Sequence, residues 1–140
     1  MMQPQNWTAI IIAAVAAWLF GAFYYGLLGK TWVAAQGETM DTLKAKNAGK
    51  SAAAKAAPFV ISFVAEIVMA AALSGILFHS AMSGPRQGAI TGALIWLGFV
   101  LTTTLVNNAY AFRSLKLTAI DAGHWLGALI IIGGMVGWLT

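Results

Sequence analysis

Cysteine is absent from the 140 residues, which excludes a disulfide framework, a thiol nucleophile and any cysteine metal site. Acids are nearly absent too, at four against eight lysines and arginines. Charged residues make up 9% of the chain, whereas a soluble domain carries about a quarter. So few polar groups yield no paired acids, no nucleophile spaced to a base and no phosphate loop, so no enzyme is expected. The two histidines, His79 and His124, fall at opposite ends of the spans described next and cannot share an ion. No metal or other cofactor is expected.

What fills the chain instead is apolar. Hydrophobic residues make up 60% and mean hydropathy is +0.80. A membrane span needs about 20 such residues to cross about 30 Å of hydrocarbon, and four stretches meet or approach that length: 7–28, 58–78, 88–112 and 122–139. The expected fold is all-α: one integral membrane four-helix bundle, built as two antiparallel hairpins. A cytoplasmic or interfacial helix, lying at the surface or extending span two inward, is expected in the longer loop, 30–57, whose "TMDTLKAKNAGKSAAAKAA" is rich in helix-forming alanine and lysine. Pro58 marks a start or a kink for span two.

Lys30, Lys44, Lys46, Lys50, Lys55, Arg113 and Lys116 all fall between spans one and two or between spans three and four; only Arg86 lies on the other side. The positive-inside rule then places both termini outside and these loops in the cytoplasm. Trp7 and Trp138 fall at the outer interface and Trp32 and Trp125 at the inner one, as an aromatic belt requires. The first apolar run is too long for a signal-peptide core and lacks a basic leader, so span one is expected to be retained. This charge distribution follows membrane topology and gives no reason to expect nucleic acid as a partner. Membrane lipids and further copies of the chain are the expected partners. The loop lysines are read as fixing topology, because beyond Met40 and Leu43 the helix has little apolar face with which to lie on lipid.

Small residues spaced by four mark helix contacts in lipid, where close approach replaces the hydrophobic effect. Span one offers Ala13, Ala17 and Gly21, span three Gly88 and Gly92, and span four Gly123, Gly127, Gly134 and Gly137 in one stripe.

One acid interrupts "PFVISFVAEIVMAAALSGILF". Glu66 lies about 12 Å past Pro58 at about 1.5 Å per residue, near mid-membrane, where a charge is costly and an ionisable group is a functional candidate. Glu66, Ala70 and Ser74 recur every four residues, so this face should turn inward. Trp96, Thr103, Asn107 and Tyr110 share a face of span three, and Thr103 and Asn107 fall at the depth of Glu66, so both are expected to bond a neutral glutamic acid. Trp18 and Trp96 lie inside their spans, where each indole N–H needs an acceptor; both are expected to turn inward and wall the site above Glu66. Asp121 suits an N-cap of span four, with His124 one turn further in; this pair is a cap and an interfacial histidine or, alternatively, an inner gate.

Two blocks, "YYGLLGKTW" and "WLGFVLTTTLVNNAYAFRSLKLTAIDAGHWL", resemble a bacterial family of small four-span integral membrane proteins catalogued as a domain of unknown function. The resemblance runs through Tyr25, Gly26, Gly29 and Trp32, then Trp96, Gly98, Phe99, Thr103, Asn107 and Asp121. Leu27 stands where a proline is common, and His124 where a tyrosine is expected. The resemblance implies a fold and the bacterial inner membrane, but no activity. The functional expectation comes from the residues themselves. It is a site around Glu66, with Thr103, Asn107, Trp96, Trp18 and Tyr25, that binds or moves a small molecule or a proton. The alternative is a structural, accessory or lipid-binding module in which Glu66 only ties helices together.

Overall fold

The computed structural model describes residues 5–140. Its elements are α1 (Trp7–Ala35), α2 (Met40–Asn47), α3 (Ala52–His79), α4 (Pro85–Ile95), a π-helical segment (Trp96–Leu101), α5 (Thr102–Tyr110) and α6 (Leu115–Leu139), with no strand among the described residues. Among the described residues, four helices are long and apolar enough to cross a membrane: α1, α3, the run Pro85–Tyr110 and α6. The expected all-α, four-span architecture is what the chain adopts.

Capping residues, rather than the edges of the apolar runs, set the helix starts. Asn6, Ser51 and Ser114 each accept a hydrogen bond from a backbone N–H three residues on, which satisfies a donor the first turn would leave free. The result bears on two expectations. Span two begins at Ala52 and passes through Pro58, so of the two roles expected of the proline, a start or a kink, it is not the start. Span four begins at Leu115, so Asp121 is not its N-cap and His124 lies more than two turns inside the helix. The long loop forms two pieces, α2 and the first turns of α3, separated around Gly49.

Span four is the centre of the bundle. It packs on α4 and on α1, and α3 packs on α1 and α6. Spans two and three, expected as a tight hairpin, touch only sparingly, because the α4 glycines turn toward α6. A Cβ on Gly88 would overlap the Gly133 carbonyl, one on Gly133 would overlap that of Gly88, and one on Gly92 would overlap that of Leu129. The two backbones are in direct contact, which only glycine permits. Gly84 completes the seam at φ +95°, a region glycine enters without strain, and its N–H donates to Gly137 O at 2.9 Å. The span-four glycines therefore do not face one neighbour. Gly133 and Gly137 meet span three, whereas Gly123 and Gly127 meet the Tyr24 and Phe20 rings of span one.

Beside this seam lies the apolar core, which includes Ile10, Ala13, Ala17, Ala70, Leu73, Leu77, Ile132 and Val136, all buried. Span three beyond Ile95 is covered least, with Leu97, Phe99, Leu105 and Val106 exposed, as lipid-facing residues would be.

Candidate functional site

Between α1 and α3, toward the lysine-bearing end, lies a cavity of about 670 Å³. α1 contributes Trp18, Gly21, Ala22, Tyr25, Gly26, Gly29, Trp32 and Val33, a run at intervals of three and four that forms one helical face. α3 contributes Pro58, Phe59, Ser62 and Glu66, α6 contributes His124, and Met40 and Leu43 of α2 close the lysine end. The two apolar residues of α2 thus have a use other than lying on lipid.

Glu66 and His124 are the polar centre of this space. Glu66 is 1% exposed and His124 6% exposed. Among the described residues, Glu66 Oε2 and His124 Nδ1 are buried with no hydrogen-bond partner. A buried polar atom left unpaired costs about 1–3 kcal/mol, and both of these atoms belong to residues that line the cavity. The expectation for His124 was an interfacial histidine or an inner gate, outside the site drawn around Glu66. The earlier start of α6 brings both onto one cavity.

Aromatic rings hold the histidine. Phe20 stacks on it at 6.1 Å and 6°, with Tyr25 at 5.0 Å and Trp125 at 4.7 Å. Gly21 makes the space: a Cβ there would come 2.8 Å from His124 Nε2. At Gly26 and Gly29 a Cβ would meet nothing within 4 Å; these two glycines face open space.

Asp121 links span one to span four. Its Oδ1 accepts from Tyr25 Oη at 2.6 Å and from Trp32 Nε1 at 2.9 Å, while Tyr24 Oη donates to Ile120 O at 2.7 Å. Asp121 thus holds two cavity-lining rings from behind.

Trp18, Tyr25, Glu66 and His124 meet at the cavity, but Thr103, Asn107 and Trp96 do not. Thr103 and Asn107 are exposed, and the expected bonds to Glu66 are not made. The cause is the π-helical Trp96–Leu101. Its i→i+5 bonding admits an extra residue, which breaks the face drawn at about 3.6 residues per turn. The inward amide moves one position along: Asn108 Nδ2 donates to Thr118 Oγ1 at 2.9 Å. Trp96 Nε1 donates to Ala122 O at 2.7 Å, tying span three to span four. Trp18 Nε1 donates to Phe59 O at 3.1 Å and Ser62 Oγ at 3.2 Å. Both indoles find acceptors, yet neither roofs Glu66. Phe59 and Ser62 precede Glu66 on α3, so Trp18 lies to its lysine side, and beyond Glu66 the fully buried Ala70 and Leu73 belong to the core.

Sequence reasoning missed Phe59 and Ser62 and treated Gly21 as packing only. The signal for span one was nonetheless present: Tyr25, Gly26, Gly29 and Trp32, the residues of the first resembling block, all line the cavity. No group of three His, Cys, Asp or Glu side chains is placed to hold a metal among the described residues.

Among curated proteins and among solved structures, nothing matches the chain. A family model does match, over residues 8–137. The chain belongs to the family described as "Protein of unknown function (DUF1761)".

Proposed function

We propose that this protein binds or transports a small molecule or proton at the cavity between α1 and α3, with Glu66 and His124 as its polar contacts. The observation that carries this reading is that Glu66 and His124, each with a buried, unpartnered atom (Oε2 and Nδ1), line one cavity of about 670 Å³. A volume of this order suits a small ligand, for which sites span about 300–1,000 Å³. An intramembrane acid kept only to join helices would be expected to have bonded its neighbour, and this one has not. The setting we propose is the bacterial inner membrane, and seven of eight basic residues at one end support an orientation with that end in the cytoplasm and both termini outside. The exposed apolar faces of α3 and span three are consistent with lipid or with further copies of the chain.

The test is an unbiased one. Wild-type protein and Glu66→Gln, which keeps shape but cannot ionise, are purified in mild detergent, and co-purifying metabolites and lipids are identified by mass spectrometry. A species enriched with the wild type and lost with Glu66→Gln is expected. Identical profiles from two equally folded proteins would favour the structural or accessory module instead.

A further inference from the structure

The chemistry of the cavity wall narrows what it can hold. The polar donors of the lining tryptophans and tyrosine are already engaged: Trp18 Nε1 with Phe59 O and Ser62 Oγ, and Tyr25 Oη and Trp32 Nε1 with Asp121. These residues have little left to offer a ligand except ring surface, whose negative face attracts cations. None of the eight lysines and arginines lines the space, and Glu66 is the lining residue that can carry a negative charge. His124 Nδ1, unpartnered, can accept a hydrogen bond when the imidazole is neutral with its proton on Nε2. An anion here would have as counter-charge only a protonated His124, itself costly at a depth where charge is heavily penalised, whereas a cation would find Glu66.

The shape of the wall agrees with the charge. Gly26 and Gly29 face open space on the α1 surface that lines the cavity, so an apolar body can lie directly against the helix backbone there. The unpartnered Glu66 oxygen, 1% exposed as a residue, is the second and independent observation that makes this stretch a site and more than a row of small residues.

We propose that the cavity takes a lipophilic organic cation, its charge paired with Glu66 and its apolar body laid along the glycine face of α1 among Trp18, Tyr25 and Phe59. This assignment rests on the reading of the cavity as a ligand site and adds the class of ligand. Because a single carboxyl cannot hold a proton and a cation together, the two compete for Glu66.

Three probes of similar bulk and different charge test it: tetraphenylphosphonium, neutral triphenylphosphine oxide and anionic tetraphenylborate. Each is titrated calorimetrically into the full chain in lipid nanodiscs, with protein-free nanodiscs subtracted. The phosphonium is expected to bind at least about tenfold more tightly than either of the others, a difference of about 1.4 kcal/mol. Glu66→Gln should remove that preference. Gly26→Leu, whose Cβ would meet nothing within 4 Å and whose longer side chain projects into the groove, should weaken phosphonium binding by a similar factor without lowering the unfolding midpoint, and it keeps the test decisive should Glu66→Gln fail to fold. Equal binding of the cation and the neutral oxide, both weakened by Gly26→Leu, would overturn the cation assignment and leave the cavity as a ligand site. Preference for the borate, or phosphonium binding unchanged in both variants, would also overturn it. Binding of none of the three would count against the cavity as a ligand site altogether.

Discussion

The two ends of span four are packed in different ways. At the lysine-free end, Gly133 and Gly137 bring its backbone directly against that of span three; at the lysine end, Gly123 and Gly127 receive the rings of Tyr24 and Phe20. Backbone against backbone leaves no volume to lose, so this end is closed. Rings hold helices apart and can shift, and the cavity lies on this side of the molecule. A bundle this small thus obtains both a rigid anchor and an open site from one residue type, used against two kinds of neighbour.

The largest expected effect comes from breaking the closed end. Gly88→Ala sets a methyl group into the Gly133 carbonyl, and neither backbone can yield without parting the helices. A loss of about 3 kcal/mol, the upper range for overpacking, is expected in denaturant titration of the reconstituted protein. Alanine at Gly26 or Gly29, where nothing lies within 4 Å, should instead be neutral or stabilising by up to about 1 kcal/mol from helix propensity. A similar loss at all three sites would erase the distinction between the two ends.

Next is the anchor of the open end. Asp121→Ala leaves the Tyr25 hydroxyl and the Trp32 indole without their acceptor, a cost of about 1–3 kcal/mol. Both rings should loosen, seen as a red shift and broadening of Trp32 emission in a protein that retains only that tryptophan. Unchanged emission would mean that Asp121 does not hold the cavity wall.

Gly21→Ala should cost less. Its methyl group meets His124 Nε2 at 2.8 Å, the tip of a side chain and not backbone, so about 1 kcal/mol is expected, at the low end of overpacking and partly offset by propensity. The imidazole resonances should shift while those near Gly133 do not.

The smallest effect is at α2, outside the spans. Hydrogen bonds from Lys46 and then Thr42 hold the Glu38 carboxyl below its ordinary pKa of 4.5. A lowered folded-state value means that the stabilisation is complete above that ordinary value and is lost as pH falls through the lowered one. Amide exchange in Met40–Asn47 should therefore quicken, relative to α1, only under acid conditions, and added salt should weaken the effect by screening this exposed pair.

Much of this arrangement was legible in the sequence. Four spans follow from apolar length, and the burial of Glu66, Ala70 and Ser74 follows from their period of four. Gly88 and Gly92 were marked as a contact face by spacing alone. What was not legible depended on local departures from regularity. Hydropathy cannot see that Ser114 starts span four two turns before its apolar run, and that shift carried Asp121 and His124 into the bundle. Nor does a fixed helical period allow for the π-helical "WLGFVL", which took Thr103 and Asn107 out of the site. Choice of neighbour was the third gap. Glu66 was matched to span three by depth, whereas backbone contact at Gly88 and Gly92 commits span three to α6 and leaves α3 to pack on α1.

The most direct measurement asks whether Glu66 can be reached through the cavity. The chain has four acids, so a carbodiimide adduct on any of them can be assigned by peptide mass spectrometry. With a lipophilic carbodiimide in nanodiscs, an adduct at Glu66 is expected in the wild type and should be lost or strongly reduced in Gly26→Leu, where the groove is filled. An unmodified Glu66 beside labelled Glu38 and Asp41, or an adduct that forms equally well in Gly26→Leu, would contradict an open cavity that leads to the acid.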